Sequence, residues 1–595
     1  MRLRVFFVLS IMISAQVFSQ DDMFAKEYFE NAAFEKALYE YKKLYANSPS
    51  NLNYINQIIS SYQQLEQYNE AEQFLLTLIE RTKYQYPAFF VELGYNYQLM
   101  GDLEKANSYY KQALSSLDQN VNNVFPVALS FQNHSLLNEA LATYEKAMTI
   151  KADFNFNLQK AQIYGEQGDI EKMFDNYMDF AEQNPISVSN IKRAISDFIS
   201  EDASNENNIL FRKIILRKLQ EKPNVLWNEM LSWLFIQQKN YAKAFIQEKA
   251  IFNRQQENLS RIEELSDIAI SENNHLIAKE ILTYLVKTSQ DLATVLRAQY
   301  NLLQLETKES KPDNYQNIKD AYEALFRVYG TFSQTLNLQI AYAHFLAFYM
   351  NDTKKATTFL EQALELPLND TQKAQVKLEL GDIYVLREEF STALIYYTQI
   401  QRSLKNSTMS QEARYKVAKA SYYKGDFDWA ESQLKILKAS TSQLIANDAL
   451  DLKLIISDNK YDDSLHVALK LYAKADLLAF QNKKDEAIVL LETIITEHKT
   501  ENIIPQALYK QAQLFEGKKD YEKAEANYNS ILINYKEGIL VDDACYALAE
   551  LYVNHLSQPE KAKALYEDII FNHADSIYFI DARKKFRALR GDAIN

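Results

Sequence analysis

The sequence predicts an all-α chain assembled from repeated helical hairpins, and three observations carry that expectation. Glycine and proline are scarce, 10 and 9 in 595 residues, roughly 3% together where an average protein carries about 12%. That is too few for the turns of an all-β or glycine-loop α/β fold. Alanine recurs at a fixed period, with Ala37, Ala71, Ala106 and Ala140 spaced by 34, 35 and 34 residues. Between these alanines, short polar turns such as Met100-Gly101-Asp102 and Lys424-Gly425-Asp426 separate two stretches whose apolar residues recur at i, i+3 and i+4. This spacing gives a helix one apolar face, so each period reads as helix, turn, helix.

The first twenty residues stand apart. Arg2 and Arg4 give a basic start, Val5 to Ile13 form an apolar run broken only by Ser10, and Val17-Phe18-Ser19 precede Gln20. This is the layout of a secretory signal peptide; the competing reading is an apolar first helix of the fold. The run is too short to span about 30 Å of hydrocarbon, and Gln20-Asp21-Asp22 follow at once. Residues 1–19 are therefore expected to be cleaved, with a cut between Ala15 and Gln16 as the alternative. No cysteine follows the run, so a lipid anchor is not expected, and no later stretch approaches the length of a transmembrane segment.

Residues 20–186 read as an N-terminal array. Its third unit carries the fullest pattern: Phe90, Leu93-Gly94, Tyr97, Gly101-Asp102, Ala106, Tyr110 and Ala113. Two small residues, Gly94 and Ala106, are placed where paired helices cross closely, while Tyr97 and Tyr110 fill the space to the next hairpin. Leu380-Gly381, Tyr384, Ala393 and Tyr397 match in the same register, and Ala37 to Pro49 and Met173 to Pro185 add a closing proline. This pattern resembles the tetratricopeptide repeat, and the resemblance runs from about Asp22 to Arg590. It implies a right-handed superhelical solenoid of helical hairpins that binds a protein or peptide on the concave surface lined by the first helices.

Residues 187–335 read as divergent helical repeats. Ala244 and Ala278 keep the 34-residue interval, but the first helices lack a Leu-Gly pair, and Lys308 to Asp313 is expected as a long polar loop. Residues 336–595 form a C-terminal array with alanines about 37 apart (Ala356, Ala393, Ala430, then Ala487, Ala524, Ala562) and a helical end. Some twenty extra residues between Ala430 and Ala487 hold a further apolar helix, Leu444 to Ile456, and a polar run, Ser457 to Ser464. The last units share Tyr415-Lys-Val-Ala418, Tyr472-Ala-Lys-Ala475, Tyr509-Lys-Gln-Ala512 and Tyr546-Ala-Leu-Ala549. Their style is similar to the repeats of bacterial outer-membrane assembly proteins and of the TolA-binding protein.

Charge and chemistry narrow the function. A formal net charge of −14 removes the electrostatic term that dominates nucleic-acid binding. One cysteine, Cys545, allows no intramolecular disulfide or thiolate metal site, and it is expected to be packed and inert on a first helix. The seven histidines are scattered; His555 and His573, eighteen residues apart, read as surface groups. No phosphate loop, His-Glu-x-x-His helix or Gly-x-Ser-x-Gly elbow occurs. The acidic pairs Asp542-Asp543 and Asp462-Asp463 read as solvated helix starts. No catalytic residue, cofactor or metal is expected.

The leading function is a non-catalytic scaffold holding a protein or peptide partner in the cell envelope, in outer-membrane assembly. The alternatives are a glycan-binding protein similar to the SusD type and, further off, a helical-superstructure peptidoglycan enzyme. The richness in Tyr, Asn, Lys and Ile resembles exported repeats of Bacteroidota, which points to the periplasm, with attachment to the outer membrane through a partner. The candidate contact residues are Tyr415, Tyr472, Tyr509 and Tyr546, at one position of four successive first helices, and Lys419, Asp476, Gln513 and Glu550, one turn later on the same face. Rings beside polar groups suit a binding ladder; the competing reading makes the tyrosines interhelical packing.

Overall fold

A computed structural model of the chain describes residues 22–81, 86–256, 258–437, 442–460 and 465–592. The signal-peptide reading of residues 1–19 and the acidic pair Asp462-Asp463 lie outside the described residues. Among the described residues the regular elements are α-helices and short 3-10 turns, with no strand. The chain divides into two compact units, one ending at Gln256 and the other beginning at residue 257.

Within each unit consecutive helices pair as hairpins. In the first, Ala88–Leu99 pairs with Leu103–Gln119 and Val124–Asn133 with Leu137–Ile150. In the second, Asp370–Leu386 pairs with Phe390–Ser403, Thr408–Lys424 with Phe427–Leu437, and Val467–Phe480 with Lys484–Glu497. Ile504–Glu516 with Tyr521–Asn534, Val541–Asn554 with Pro559–Asn572, and a closing helix Phe579–Arg590 follow.

The alanine period is the period of the helix crossings. Ala37, Ala71, Ala106, Ala140, Ala244, Ala278, Ala356, Ala393, Ala430, Ala487, Ala524 and Ala562 are all fully buried or nearly so. Four residues on, a large side chain folds back over a small residue of the first helix. A Cβ placed on Gly94 would stand 2.3 Å from the Tyr110 ring, and one on Gly381 would stand 2.3 Å from that of Tyr397. Contacts under 3 Å are repulsive, so the close packing of these rings requires the missing methyl.

The divergent region keeps this geometry under different residues. Ser232 precedes Glu248 by the same sixteen residues that separate Gly94 from Tyr110. Both are buried, and the Ser232 hydroxyl donates to the Glu248 carboxylate at 2.5 Å. A small first-helix residue under a larger second-helix side chain is thus preserved, with a hydrogen bond in place of an aromatic contact. The long polar loop expected at Lys308 to Asp313 is not found. Lys308 and Glu309 finish the helix Leu292–Glu309, and Pro312–Asn314 form a 3-10 turn. Lys311 is extended (φ −94, ψ 163), as a residue before proline must be.

The hairpin turns explain how a chain with so little glycine can turn so often. Five residues before the alanine stands one residue in the left-handed region: Gly101 (φ 83) and Gly425 (φ 86), but also Glu66 (φ 57), Ser135 (φ 56), Lys239 (φ 53) and Lys519 (φ 65). The next amide then donates back to a carbonyl of the first helix, as Asp102 does to Tyr97 at 2.9 Å and Lys483 to Leu478 at 2.9 Å. This is the Schellman closure of a helix end, which glycine favours but does not monopolise.

Candidate functional site

The extra segment between Ala430 and Ala487 forms a helix, Gln443–Asn459, where the apolar run Leu444 to Ile456 predicts one. Ala449, Leu452 and Ile456 are buried in a core shared with Tyr422, Phe427, Leu434 and Leu469. Its other face carries Leu444, Asp448 and Asp451, all exposed. Beside it, the end of Val467–Phe480 meets helices from much earlier in the chain: the Phe480 ring lies 5.5 Å from that of Phe348 and 6.3 Å from that of Tyr423. Gln481 Nε2 donates to the Leu386 carbonyl at 3.0 Å, and Lys474 Nζ pairs with Glu388 at 2.8 Å.

These elements enclose a cleft of about 510 Å³. Asp382 and Val385 come from one first helix, Glu412, Tyr415, Lys416, Lys419 and Tyr423 from the next, Leu444, Ile445 and Asp448 from the inserted helix, and Phe480 from the end of Val467–Phe480. Its cations are committed. Lys416 Nζ is 2.8 and 3.0 Å from the Asp382 carboxylate oxygens. Burial works against the charge on Lys416, but Asp382 outweighs it and holds that ammonium above its ordinary value. Lys419 and Lys510 lie 3.7 and 2.7 Å from Asp476. Burial alone would raise the Asp476 carboxyl, yet these lysines hold it below the usual range. Glu412 and Asp448 form no ion pair within 4 Å among the described residues, although the charge of Glu412 reaches Lys416 one turn along its helix.

The eight candidate residues divide by environment. Tyr472 is 6% exposed and belongs to the buried core it shares with Tyr422; it is a packing residue rather than an exposed contact. Tyr415, Tyr509 and Tyr546 are half-buried against the same core. The Tyr509 ring meets Tyr528 edge-on at 5.6 Å. That of Tyr546 stacks on Tyr578 at 4.3 Å, while its hydroxyl donates to Asp581 and accepts from Lys585 Nζ at 2.9 Å. Lys419 and Asp476, expected as separate rungs, pair with each other. Gln513 is exposed. Glu550 accepts from Tyr566 and pairs with Lys585 at 2.7 Å. The structure therefore gathers Tyr415 and Lys419 in the cleft and ties Tyr546 and Glu550 into the closing helix.

Two sequence readings on this face acquire detail. Asp542 and Asp543 do sit in the first turn of Val541–Asn554, but Asp543 also accepts from the Tyr578 hydroxyl at 2.9 Å. Burial pushes the Asp543 carboxyl up, and the charges of Asp542 and Asp451 push the same way. Cys545 is fully buried, its Sγ 3.3 Å from the Leu565 carbonyl; burial and Asp568 push the thiol up to about 12, so it is protonated and inert at neutral pH. Asp382, Glu412, Asp448 and Phe480 escaped the sequence reading. The one available signal was the inserted helix, whose acidic i, i+3 pair Asp448 and Asp451 lies opposite its apolar face.

Residues 88–116 match the family model of the tetratricopeptide repeat, the hairpin that carries the fullest pattern. A search of curated proteins finds no match. Solved structures with similar chains include Naa15/Naa10 bound to HypK-THB, 11% identical over 96% of this chain and 94% of that one, TM-score 0.29. The APC/C hetero-tetramer Cut9–Hcn1 is 12% identical over 96% of each chain, TM-score 0.25. A tetratricopeptide repeat protein from Parabacteroides merdae is 14% identical over 50% of this chain and 98% of that one, TM-score 0.25. The chain is thus an all-α stack of helical hairpins that contains a tetratricopeptide repeat.

Proposed function

We propose that the chain is a non-catalytic scaffold that holds a protein or peptide partner in the cleft beside the helix Gln443–Asn459. The observation that carries this reading is the cleft itself. Between neighbouring first helices it leaves a half-buried tyrosine, exposed Leu444 and two carboxylates with no ion pair within 4 Å among the described residues open to a ligand. Aromatic area beside polar tips is what protein interfaces favour. Tagged protein should retain a defined partner on affinity purification. Leu444→Asp, at a position 71% exposed, should abolish that capture without lowering the unfolding temperature. Equal capture by the variant would remove the cleft from the function.

The reading extends to the compartment. The layout of residues 1–19 supports export, and the style of the C-terminal repeats supports a periplasmic role in outer-membrane assembly, with membrane attachment through the partner. No helix among the described residues is long and apolar enough to cross a membrane. Mass spectrometry of native protein should find Gln20, or else Gln16, at the N-terminus; intact Met1 in the envelope fraction would defeat the export reading.

A further inference from the structure

We infer that the cleft beside Gln443–Asn459 selects a basic segment of its partner, an extended peptide whose lysine or arginine stem lies on Leu444, Ile445 and Phe480 and whose charge meets Glu412 and Asp448. This rests on the cleft being the partner site and adds the chemistry of the occupant.

Among the described residues, Lys416, Lys419 and Lys510 on this face are held by Asp382 and Asp476 inside the protein, so these lysines are not left to meet an anionic ligand. Glu412 and Asp448 line the cleft with no ion pair within 4 Å among the described residues; Lys416, one turn along from Glu412, feels its charge but is bound to Asp382. The negative field continues beyond the cleft. Asp451 stands three residues on from Asp448 along the same helix, and its charge reaches Asp543 in the first turn of Val541–Asn554. Burial first, and the charge of Asp448 second, hold the Asp451 carboxyl above its ordinary range. A peptide cation would relieve that repulsion. The half-buried Tyr415 ring, lying among Asp448, Asp451 and Asp476, already has the Lys419 ammonium 6.0 Å from its centre on one side, the kind of aromatic surface on which a cation rests. The apolar lining suits the side chain's methylene stem, which packs while the charge is paired.

Three fluorescently labelled twelve-residue peptides separate the possibilities: alternating leucine and arginine, the same with glutamine for arginine, and the same with glutamate. Fluorescence anisotropy with the full chain should show binding of the arginine probe alone. That binding should weaken about tenfold in Glu412→Gln/Asp448→Asn. It should also weaken between about 0.1 M and 1 M salt, over which the screening length falls from about 10 Å to about 3 Å. Both substituted positions lie outside the core, and circular dichroism melting checks that the variant is folded. Equal binding of the glutamine probe, preference for the glutamate probe, no binding of any probe, or an arginine affinity indifferent to the double substitution would each overturn the charge assignment. Partner capture sensitive to Leu444→Asp but not to Glu412→Gln/Asp448→Asn would leave the scaffold reading standing alone; insensitivity to both would remove the cleft as well.

Discussion

Gly381 shows how little room one residue leaves. The Tyr397 ring occupies the space of its absent side chain, and the hydroxyl beyond donates to Asp382 at 2.7 Å, which in turn holds Lys416. Gly381→Ala must therefore displace a fully buried ring and strain a hydrogen bond that supports the cleft. The expected cost is about 1–3 kcal/mol, read as a lower urea midpoint. Ala393→Leu, at the facing position with no exposure, should cost a similar amount. If both variants unfold like the parent, the crossings are misplaced. The hairpin turns predict the opposite sign. Glu66 holds a left-handed backbone (φ 57) that costs a non-glycine residue about 1 kcal/mol or more. Glu66→Gly removes that strain but gives the unfolded chain more freedom, so a net gain of about 0.5 kcal/mol is expected in thermal unfolding. A loss would mean that the glutamate side chain stabilises the turn.

At the scale of the element, the inserted helix Gln443–Asn459 has two faces with separable roles. Ile456 is fully buried in the shared core, whereas Leu444 on the cleft face is 71% exposed. Ile456→Ala should cost about 2–4 kcal/mol through lost burial and a residual cavity, while Leu444→Ala should change stability by about 0.5 kcal/mol or less. The same logic divides the tyrosine ladder. Tyr472 is buried in the core, so Tyr472→Ala is expected to cost about 3–5 kcal/mol. Tyr509→Ala, half-buried, should cost visibly less. Parallel denaturant titrations of the four variants check the ordering, and a Tyr472→Ala protein as stable as Tyr509→Ala would return Tyr472 to the surface ladder.

Across the whole molecule, tyrosine sets the response to alkali. The chain has 40 tyrosines, and buried ones occur in both units. Burial, reinforced by neighbouring carboxylates, pushes Tyr41, Tyr342 and Tyr552 up to about 12 from 10.0. The folded state thus keeps these phenols neutral where the unfolded chain ionises them. Their contribution is fully present below pH 10 and is lost as pH rises from 10 through about 12. Each accounts for about 1–2 kcal/mol once solvent screening near the hydroxyls is allowed for. Urea midpoints should hold steady from pH 8 to 10 and fall steeply above it, with phenolate absorbance rising in step with unfolding. Early phenolate absorbance while the helices persist would show that the hydroxyls are accessible.

The repeat was legible in the sequence because helix crossings impose a strict local rule. Only a small side chain fits where two helices nearly touch, so Ala106, Ala393 and Ala524 mark the period whatever surrounds them. The same rule runs through residues 187–335 in a form that a search for Leu-Gly could not recognise, since Ser232 under Glu248 satisfies the space with different chemistry. The binding face was legible only in part. Spacing by four places Tyr415 with Lys419 and Tyr472 with Asp476 on common helix faces, but it cannot say what covers those faces. Tertiary packing decided that. Tyr472 is sealed in the core it shares with Tyr422, and the Phe480 ring meets Phe348, far back in the chain. Glu412 and Asp448, from separate helices, become two walls of one cleft, because burial and charge pairing depend on distances between segments that no single helical period encodes.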